Sequence, residues 1–349
     1  MNLPNFPIAN VKKKVIAILL FLVFVMVVSV CWTLLSKPQN IILQTTNISS
    51  NVHSVRLQIQ ALLKIYSEDK VYQKVITAFQ NNNYREQHLA LHLFGEELYK
   101  KDGVKGAIFC DSTYSYACFH GLFIYAVSEK GLSVIPELDR ACHANPKFDI
   151  ECQHGIGHGI LSFLGRSKFA EASKICGTLS EKSAFSCRDG VLMEYHFETE
   201  VKEDDVRYVT QPYYPDPYDP CMKLPPQEQP ACFGNLPEWW FSNGKEITPK
   251  KAGELCNAVQ TRSNKISCLI SVGYYIPPFY FYDAQKSIEA CTLMPTLESK
   301  EICKTFGYQS FIRKGFLNKA EMMCVSAQGT PNSCADRKKF YKEIGLNYD

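Results

Sequence analysis

Apolar residues recur three and four positions apart in many short segments of this chain, the pattern of amphipathic helices. Four such segments end at a cysteine: residues 168–176 (KFAEASKIC), 248–256 (TPKKAGELC), 283–291 (DAQKSIEAC) and 316–324 (FLNKAEMMC). Thr248 and Asp283 stand where N-caps belong. Other apolar stretches, such as GLFIYAV and GVLMEYHF, follow a cysteine. The pattern predicts pairs of helices that meet at cysteine-containing turns.

The cysteines themselves are periodic. Fourteen of the fifteen form seven consecutive pairs with a separation of 8 to 12, and the second members recur after 34, 35, 45, 36, 35 and 31 residues. Such steps are typical of helical-hairpin repeats with one insertion. Zinc fingers would need a tighter spacing such as C-x2-C, which the chain lacks. Local disulfides are the simplest choice, although spacing alone leaves their connectivity open. The pairs are Cys110/Cys118, Cys142/Cys152, Cys176/Cys187, Cys221/Cys232, Cys256/Cys268, Cys291/Cys303 and Cys324/Cys334.

The repeats resemble those of the tetratricopeptide superfamily, particularly the secreted cysteine-rich proteins built from Sel-one-like repeats. The matching pieces are KAEMMC, KKAGELC, ICKTFGYQSF and SCLISVGYYI, and the resemblance covers residues 105–340 at the level of the pattern. Most cysteine separations are longer than the eight of the first pair, and the glycine-rich turns of the family are incomplete. The resemblance implies a right-handed superhelix with a concave binding face.

One uninterrupted apolar run, Val15–Leu35, contains no charged residue. As a helix it would be about 30 Å long, enough to cross a bilayer. A signal peptide has a shorter apolar region that ends in small residues, whereas Trp32 and Leu35 close this run. The lysines at 12–14 precede it, so the positive-inside rule predicts a cytoplasmic N-terminus and an extracytoplasmic C-terminal region, periplasmic, extracellular or lumenal. The dense cysteines beyond the run agree with an oxidising compartment.

The predicted fold is therefore all-α: an α-solenoid of about seven disulfide-stapled hairpins of about 35 residues, preceded by one transmembrane helix. The predicted parts are a cytoplasmic tail, the membrane helix, a spacer with a helical N-terminal cap, and the cysteine-rich repeat domain. Their bounds are 1–14, 15–35, 36–104 and 105–349.

Histidines concentrate in the first repeats. Two residues after the second cysteine stand His120, His154 and Asp189, and the last four repeats contain no histidine. His88/His92 and His154/His158 are spaced i, i+4, which places two imidazoles on one helical face, where both can bind one metal ion. The predicted metal ligands are His154, His158, His120, His88, His92 and Asp189, with Glu194 as a further oxygen donor. A divalent metal such as zinc is the expected cofactor, if there is one.

A packing role is the alternative for these positions. Gly121, Gly155 and Gly190 each follow the histidine or aspartate and let two helices approach closely, while the imidazole hydrogen-bonds a carbonyl. Packed helices stand about 10 Å apart. A site made of one i, i+4 pair and one donor from a neighbouring repeat is therefore feasible, whereas ligands from three repeats would be strained.

Other chemistry is excluded or weakly indicated. The net charge of +3 shows no basic stripe for nucleic acid, and HExxH, G-x-S-x-G, P-loop and dinucleotide motifs are absent. The insertion between Cys187 and Cys221 is a solvated loop or a binding element, and aromatic groups after it belong to the core or line a ligand surface. The candidate binding residues are Trp239, Trp240, Tyr213, Tyr214 and Tyr280.

Two functions remain open. The first expectation is a membrane-anchored extracytoplasmic binding or scaffolding protein whose concave surface takes a protein, a peptide or an envelope polymer. The alternative is a metal-dependent enzyme or metal-binding protein with its site in the histidine-rich first repeats.

Overall fold

The computed structural model describes residues 21–27, 51–144, 151–202, 205–210, 216–242, 247–326, 334 and 336–345. The chain divides into two compact units, Met1–Ile42 and Leu43–Asp349. In the first unit, residues 21–27 are helical (α1).

The predicted transmembrane helix at Val15–Leu35 is wrong. Among the described residues no helix combines the length and the apolar character that a membrane crossing requires. An apolar run meets only the hydrophobic requirement for a span, which also needs a continuous helix of about 20 residues. The described helix inside this run comprises residues 21–27.

The second unit is a cysteine-rich helical repeat. Its helices are α2 (Val52–Ile65), α3 (Glu68–Phe79), α4 (Tyr84–Asp102), α5 (Ala117–Lys130), α6 (Ile135–Ala144), α7 (Glu151–Leu164), α8 (Phe169–Cys176), α9 (Glu181–His196), α10 (Gln229–Ser242), α11 (Pro249–Ala258), α12 (Arg262–Phe279), α13 (Ala284–Thr292), α14 (Leu297–Arg313), α15 (Leu317–Ser326) and α16 (Lys338–Glu343). Thr248 and Asp283 are the N-caps of α11 and α13, since each side chain accepts a hydrogen bond from the third residue of its helix. Within the described chain, the exception to helical repeats is an antiparallel hairpin of β1 (Phe197–Lys202) and β2 (Asp205–Thr210) inside the insertion.

The repeat places one set of helices side by side. Helices α4, α5, α7, α9, α10, α12 and α14 pack on one another in that order, and we call them the inner helices. Helices α6, α8, α11, α13 and α15 pack against them as outer helices. In the first and fourth cysteine repeats a short 3₁₀ turn, Gly103–Phe109 or Cys221–Lys223, takes the place of an outer helix.

Seven disulfides join the two sets at their turns. They are Cys110–Cys118, Cys142–Cys152, Cys176–Cys187, Cys221–Cys232, Cys256–Cys268, Cys291–Cys303 and Cys324–Cys334. All fourteen cysteines are buried. The first six bridges each tie an outer helix or 3₁₀ turn to the first two turns of the next inner helix, and the seventh ties α15 to Cys334. Disulfides of this density indicate an oxidising, extracytoplasmic location.

Glycines bring the inner helices into backbone contact. A Cβ at Gly121 of α5 would lie 1.9 Å from the His92 carbonyl oxygen, and one at Gly95 of α4 would lie 2.0 Å from the Cys118 carbonyl oxygen. The same reciprocal contact joins α7 and α9, through Gly157 and Gly190. Any side chain at these four positions would force the two helices apart.

The inner helices form a closed circuit. The guanidinium of Arg313, the last residue of α14, lies 5.4 Å from the ring centre of Tyr116, which precedes α5. The Lys314 ammonium lies 5.6 Å from the ring centre of Tyr84, the first residue of α4. Such distances are those of cation–π contacts. The C-terminal end of the last inner helix therefore meets the N-terminal ends of the first two.

Gly121→Ala and Gly190→Ala should each destabilise the protein, because the added methyl group meets a backbone carbonyl that cannot rotate away. Overpacking of this kind costs roughly 1–3 kcal/mol, and more where backbone must move. Gly307→Ala is the matched control, since its Cβ would lie 3.0 Å from Met323 Cε, the far end of a flexible side chain. The control should be near neutral because alanine favours helix by about 1 kcal/mol. Denaturant unfolding of the three variants measures this, and equal losses would contradict the backbone-contact interpretation.

Candidate metal centre

Five histidines converge on the inner surface from three consecutive inner helices. His88 and His92 lie one turn apart on α4, His120 lies on α5, and His154 and His158 lie one turn apart on α7. Since the i, i+4 spacing puts each pair on one face, the pairs flank His120 from its two neighbouring helices. His120 and His158 are 2% and 4% exposed, so the cluster is largely shielded from solvent.

The cluster contains two candidate metal triads that share one residue. The triads are His88/His92/His120 and His120/His154/His158, and in each the ligand nitrogens lie within 4.8 Å of one another. Three nitrogens bound to one zinc at 2.0–2.1 Å in tetrahedral geometry are about 3.3 Å apart. Closing either triad on an ion therefore requires movement of roughly 1 Å. Both have the form of one i, i+4 pair plus one donor from the adjacent repeat.

The glycine contacts explain how side chains of separate repeats come this close. Gly121 follows His120 and touches the α4 backbone at His92; Gly190 follows Asp189 and touches the α7 backbone at His154. Gly159, next to His158, would place a Cβ 2.9 Å from the Phe123 carbonyl oxygen of α5. The repeated histidine–glycine pattern is thus both a packing device and a means of drawing imidazoles together.

Carboxylates orient the second pair of imidazoles. His154 Nδ1 lies 2.9 Å from Asp189 Oδ2, and His158 Nδ1 lies 2.6 Å from the buried Glu194 Oε2. An ionised carboxylate only accepts, so both Nδ1 atoms donate and both Nε2 atoms carry lone pairs. Those Nε2 atoms lie 3.0 Å apart. When both Nδ1 atoms donate, the two facing lone pairs are satisfied by a cation between them, either a proton or a metal ion.

The first pair is oriented by backbone. His88 Nδ1 donates to the Tyr114 carbonyl oxygen at 2.7 Å, which leaves its Nε2 as a lone pair 3.1 Å from His92 Nε2. Residues 114–116 all adopt left-handed backbone conformations, with φ between 49° and 62°. Three consecutive non-glycine residues in this region store strain of order 1–3 kcal/mol each. This strained turn presents the carbonyl that fixes the His88 imidazole.

Burial keeps four of the five imidazoles neutral. It lowers the pKa of His88 to about 4 and holds the pKa values of His92, His120 and His158 well below the usual range, and the neighbouring histidines lower all four further. Neutral imidazole is the form that binds metal. His120 Nε2 is buried without a hydrogen-bond partner, so at least one ligating nitrogen of the cluster is not used by the fold.

Not every histidine of these repeats belongs to the cluster. His196 at the end of α9 is fully buried, hydrogen-bonds Asn235 through Nδ1 at 3.0 Å, and stacks on Trp239 at 4.7 Å between ring centres. Burial also lowers the pKa of His196, to about 4. Its contacts are those of a core residue. Asp189 and Glu194 contact the cluster through the imidazole Nδ1 atoms.

A second polar group, which sequence reasoning missed, continues along the inner surface. The Tyr275 hydroxyl donates to Glu238 at 2.6 Å, and Arg313 donates to the Tyr274 hydroxyl at 2.9 Å. Burial raises the pKa of Glu238 to about 7, with the nearby Asp189 charge adding to the rise. The sequence does contain a pattern that indicates these residues. Glu238 and Tyr274 stand six residues after the second cysteine of their repeats, and His158 occupies the same position in its own repeat.

Of the five aromatic residues predicted to bind a ligand, the structure describes three. Trp239 and Trp240 are fully buried core residues, and the Trp240 indole donates to the Pro217 carbonyl. Tyr280 is half-buried with its ring against Phe279. Tyr213 and Tyr214 lie outside the described residues.

Comparison with known proteins adds no assignment. No family model matches this chain, and neither a curated protein nor a solved structure has significant similarity to it. The architecture is that of a cysteine-rich helical repeat, and the candidate site must be interpreted from its own geometry.

Replacing Glu238 by glutamine should change how stability depends on pH in the metal-free protein. With a folded pKa of about 7 against 4.5 for the free side chain, folded Glu238 keeps a proton that the unfolded chain releases between these values. Wild-type stability therefore falls as pH rises through this window. The free energy of unfolding of Glu238→Gln should equal that of wild type near pH 4 and be higher at pH 8 by roughly 1–3 kcal/mol.

The measurement is denaturant unfolding of both proteins at the two pH values, after treatment with a chelator. Glu254→Gln, which changes an exposed carboxylate paired with Lys251, is the control and should show no such difference. Parallel pH profiles for wild type and Glu238→Gln would contradict the raised pKa.

Proposed function

We propose that this protein is a metal-dependent enzyme of an oxidising, extracytoplasmic compartment, with a divalent transition metal such as Zn²⁺ held by His120, His154 and His158. One observation carries the proposal: three imidazoles meet from neighbouring helices, His120 and His158 buried and His154 partly exposed, and two of them are oriented through Nδ1 by Asp189 and Glu194. A metal-bound histidine generally donates its other ring nitrogen to a carboxylate or carbonyl in this way.

Charge balance supports a divalent ion at this triad. Each of two carboxylates lies against an imidazole, Glu194 with 2% and Asp189 with 34% of its side chain exposed, and an uncompensated charge on the buried Glu194 is costly. A dication neutralises both carboxylates and satisfies the opposed lone pairs of His154 and His158. A bound proton satisfies the lone pairs but neutralises only one carboxylate, and burial holds the pKa of His158 well below its usual range.

The polar group beyond the triad supports catalysis rather than storage. Three imidazole ligands leave a coordination position for water or substrate. Asp189 and His154 both act electrostatically on Glu238, a carboxyl group whose pKa of about 7 suits it to give and take protons near neutral pH. We assign Glu238 as the proton donor and acceptor, Tyr275 as the residue that positions it, and Arg313 as the anchor for a negatively charged part of the substrate.

The contact between the two ends of the array argues against the other candidate function. That function is a scaffold that binds a protein, peptide or envelope polymer on a concave face. The contacts of Arg313 with Tyr116 and of Lys314 with Tyr84 bring the ends of the array together. A small polar substrate suits an inner surface closed in this manner better than a folded partner does. The class of chemistry that follows is metal-assisted proton transfer, such as hydrolysis, on a small anionic molecule.

His158→Ala should bind less Zn²⁺ than wild type, by one equivalent, because it removes a ligand whose Nδ1 is already fixed. The full-length protein is stripped with a chelator, dialysed against Zn²⁺, and analysed for metal by mass spectrometry. His143→Ala is the matched control: His143 lies on outer helix α6, is half-exposed and bonds the Asp139 carbonyl.

The proposal fails if wild type retains less than a tenth of an equivalent, or if His158→Ala and His143→Ala bind the same amount. Circular dichroism and the melting temperature of the stripped proteins establish that the His158→Ala chain is folded. Should that variant not fold, Co²⁺ bound to wild type provides a second readout. Its visible spectrum reports nitrogen ligation, and a spectrum of fully hydrated Co²⁺ overturns the proposal.

A further inference from the structure

We propose that the five histidines hold two metal ions, with the imidazole of His120 bridging them. The inference rests on the proposed function in one respect: the ion at His120, His154 and His158 is the first of the two. His88, His92 and the other ring nitrogen of His120 hold the second ion.

His120 stands midway between the two pairs. Its ring centre lies 5.3 Å from that of His88 and 5.4 Å from that of His92, and 5.4 Å and 4.4 Å from those of His154 and His158. Within each pair the ring centres are 4.8 Å apart. The two triads thus share the His120 imidazole, which lies at similar distances from both pairs.

The chemistry of imidazole determines how one His120 ring can bind two metal ions. Each ring nitrogen has one lone pair in the ring plane and binds one ion, so two ions on His120 must use both nitrogens. Neutral imidazole carries one N–H proton. When the second ion binds, that N–H bond breaks, the proton leaves to solvent, and the electron pair becomes the new nitrogen–metal bond. The bridge is an imidazolate with a single negative charge.

The His88/His92 pair is built to ligate. The Tyr114 carbonyl fixes Nδ1 of His88 as a donor, so His88 Nε2 accepts a hydrogen bond from His92 Nε2 at 3.1 Å, close to the 3.0 Å between the Nε2 atoms of the second pair. A metal ion at this pair would replace that hydrogen bond. His92 is 6% exposed and burial holds its pKa well below the usual range, so the pair remains neutral. The carbonyl that fixes His88 belongs to residues 114–116, which adopt a strained backbone conformation. A hydrogen bond to an ordinary surface turn would not need such strain.

The two positions should fill in order. Asp189 and Glu194 supply negative charge to the triad of His154 and His158, whereas an uncharged carbonyl accepts from His88. The first ion therefore binds more tightly. The second gains its compensating charge from the imidazolate that its own binding creates.

Copper titration of the full-length, chelator-stripped protein tests the proposal. Two Cu²⁺ ions joined by an imidazolate couple antiferromagnetically. We expect two equivalents to bind, with an electron paramagnetic resonance signal at the second equivalent that integrates to well under two spins at low temperature. One equivalent in total, or two that give two independent spins, overturns the bridge. This readout uses wild type alone and does not depend on any variant folding.

Variants separate this inference from the proposed function. His92→Ala should bind one equivalent and give a full single-spin signal, and His143→Ala should behave as wild type. The second equivalent should release about one more proton from wild type than the single equivalent releases from His92→Ala, by pH-stat titration. If wild type binds one ion that His158→Ala loses and His92→Ala keeps, the bridge is refuted and the proposed function stands. If wild type binds none, both are refuted.

Discussion

Contact between the backbones of neighbouring inner helices, made possible by glycine, is the constraint on which the candidate site depends. With Gly95 against Gly121 and Gly157 against Gly190, neighbouring helices approach until a carbonyl of one occupies the space of a side chain of the other. Helices at ordinary packing distances would hold imidazoles of separate repeats too far apart to share an ion. The disulfides set the ends of these helices, and the glycines set their separation.

The electrostatic character of the inner surface follows from this close packing. Because the helices exclude solvent between them, His88, His92, His120 and His158 remain neutral, and the pKa of Glu238 rises to about 7. Carboxylates that contact imidazole Nδ1 atoms retain a hydrogen bond that compensates for part of their burial. The surface thus changes along its course from imidazoles to a protonatable carboxyl and then to the cationic Arg313.

The sequence predicts the parts of this molecule that depend on local spacing. The 35-residue cysteine period and the two i, i+4 histidine pairs follow from helix geometry, and the structure contains both. It does not predict the partnership of Arg313 with Tyr116, because those residues are brought together only when the array closes. Glu238 was missed for a related reason: its register is visible, but its raised pKa comes from burial among distant repeats. The transmembrane helix predicted at Val15–Leu35 was wrong because hydrophobicity alone does not specify a spanning helix.

Closure of the inner circuit has a consequence for how the molecule comes apart. An open array of repeats has two ends at which a terminal repeat can detach while its neighbours stay folded, so unfolding proceeds from the ends inward. Here Arg313 and Lys314 of the last inner helix contact the residues that start the first two. Loss of either end therefore exposes the other, and fraying of a terminal repeat is coupled to opening of the histidine cluster. Repeats far apart along the chain are in this way made into one cooperative unit.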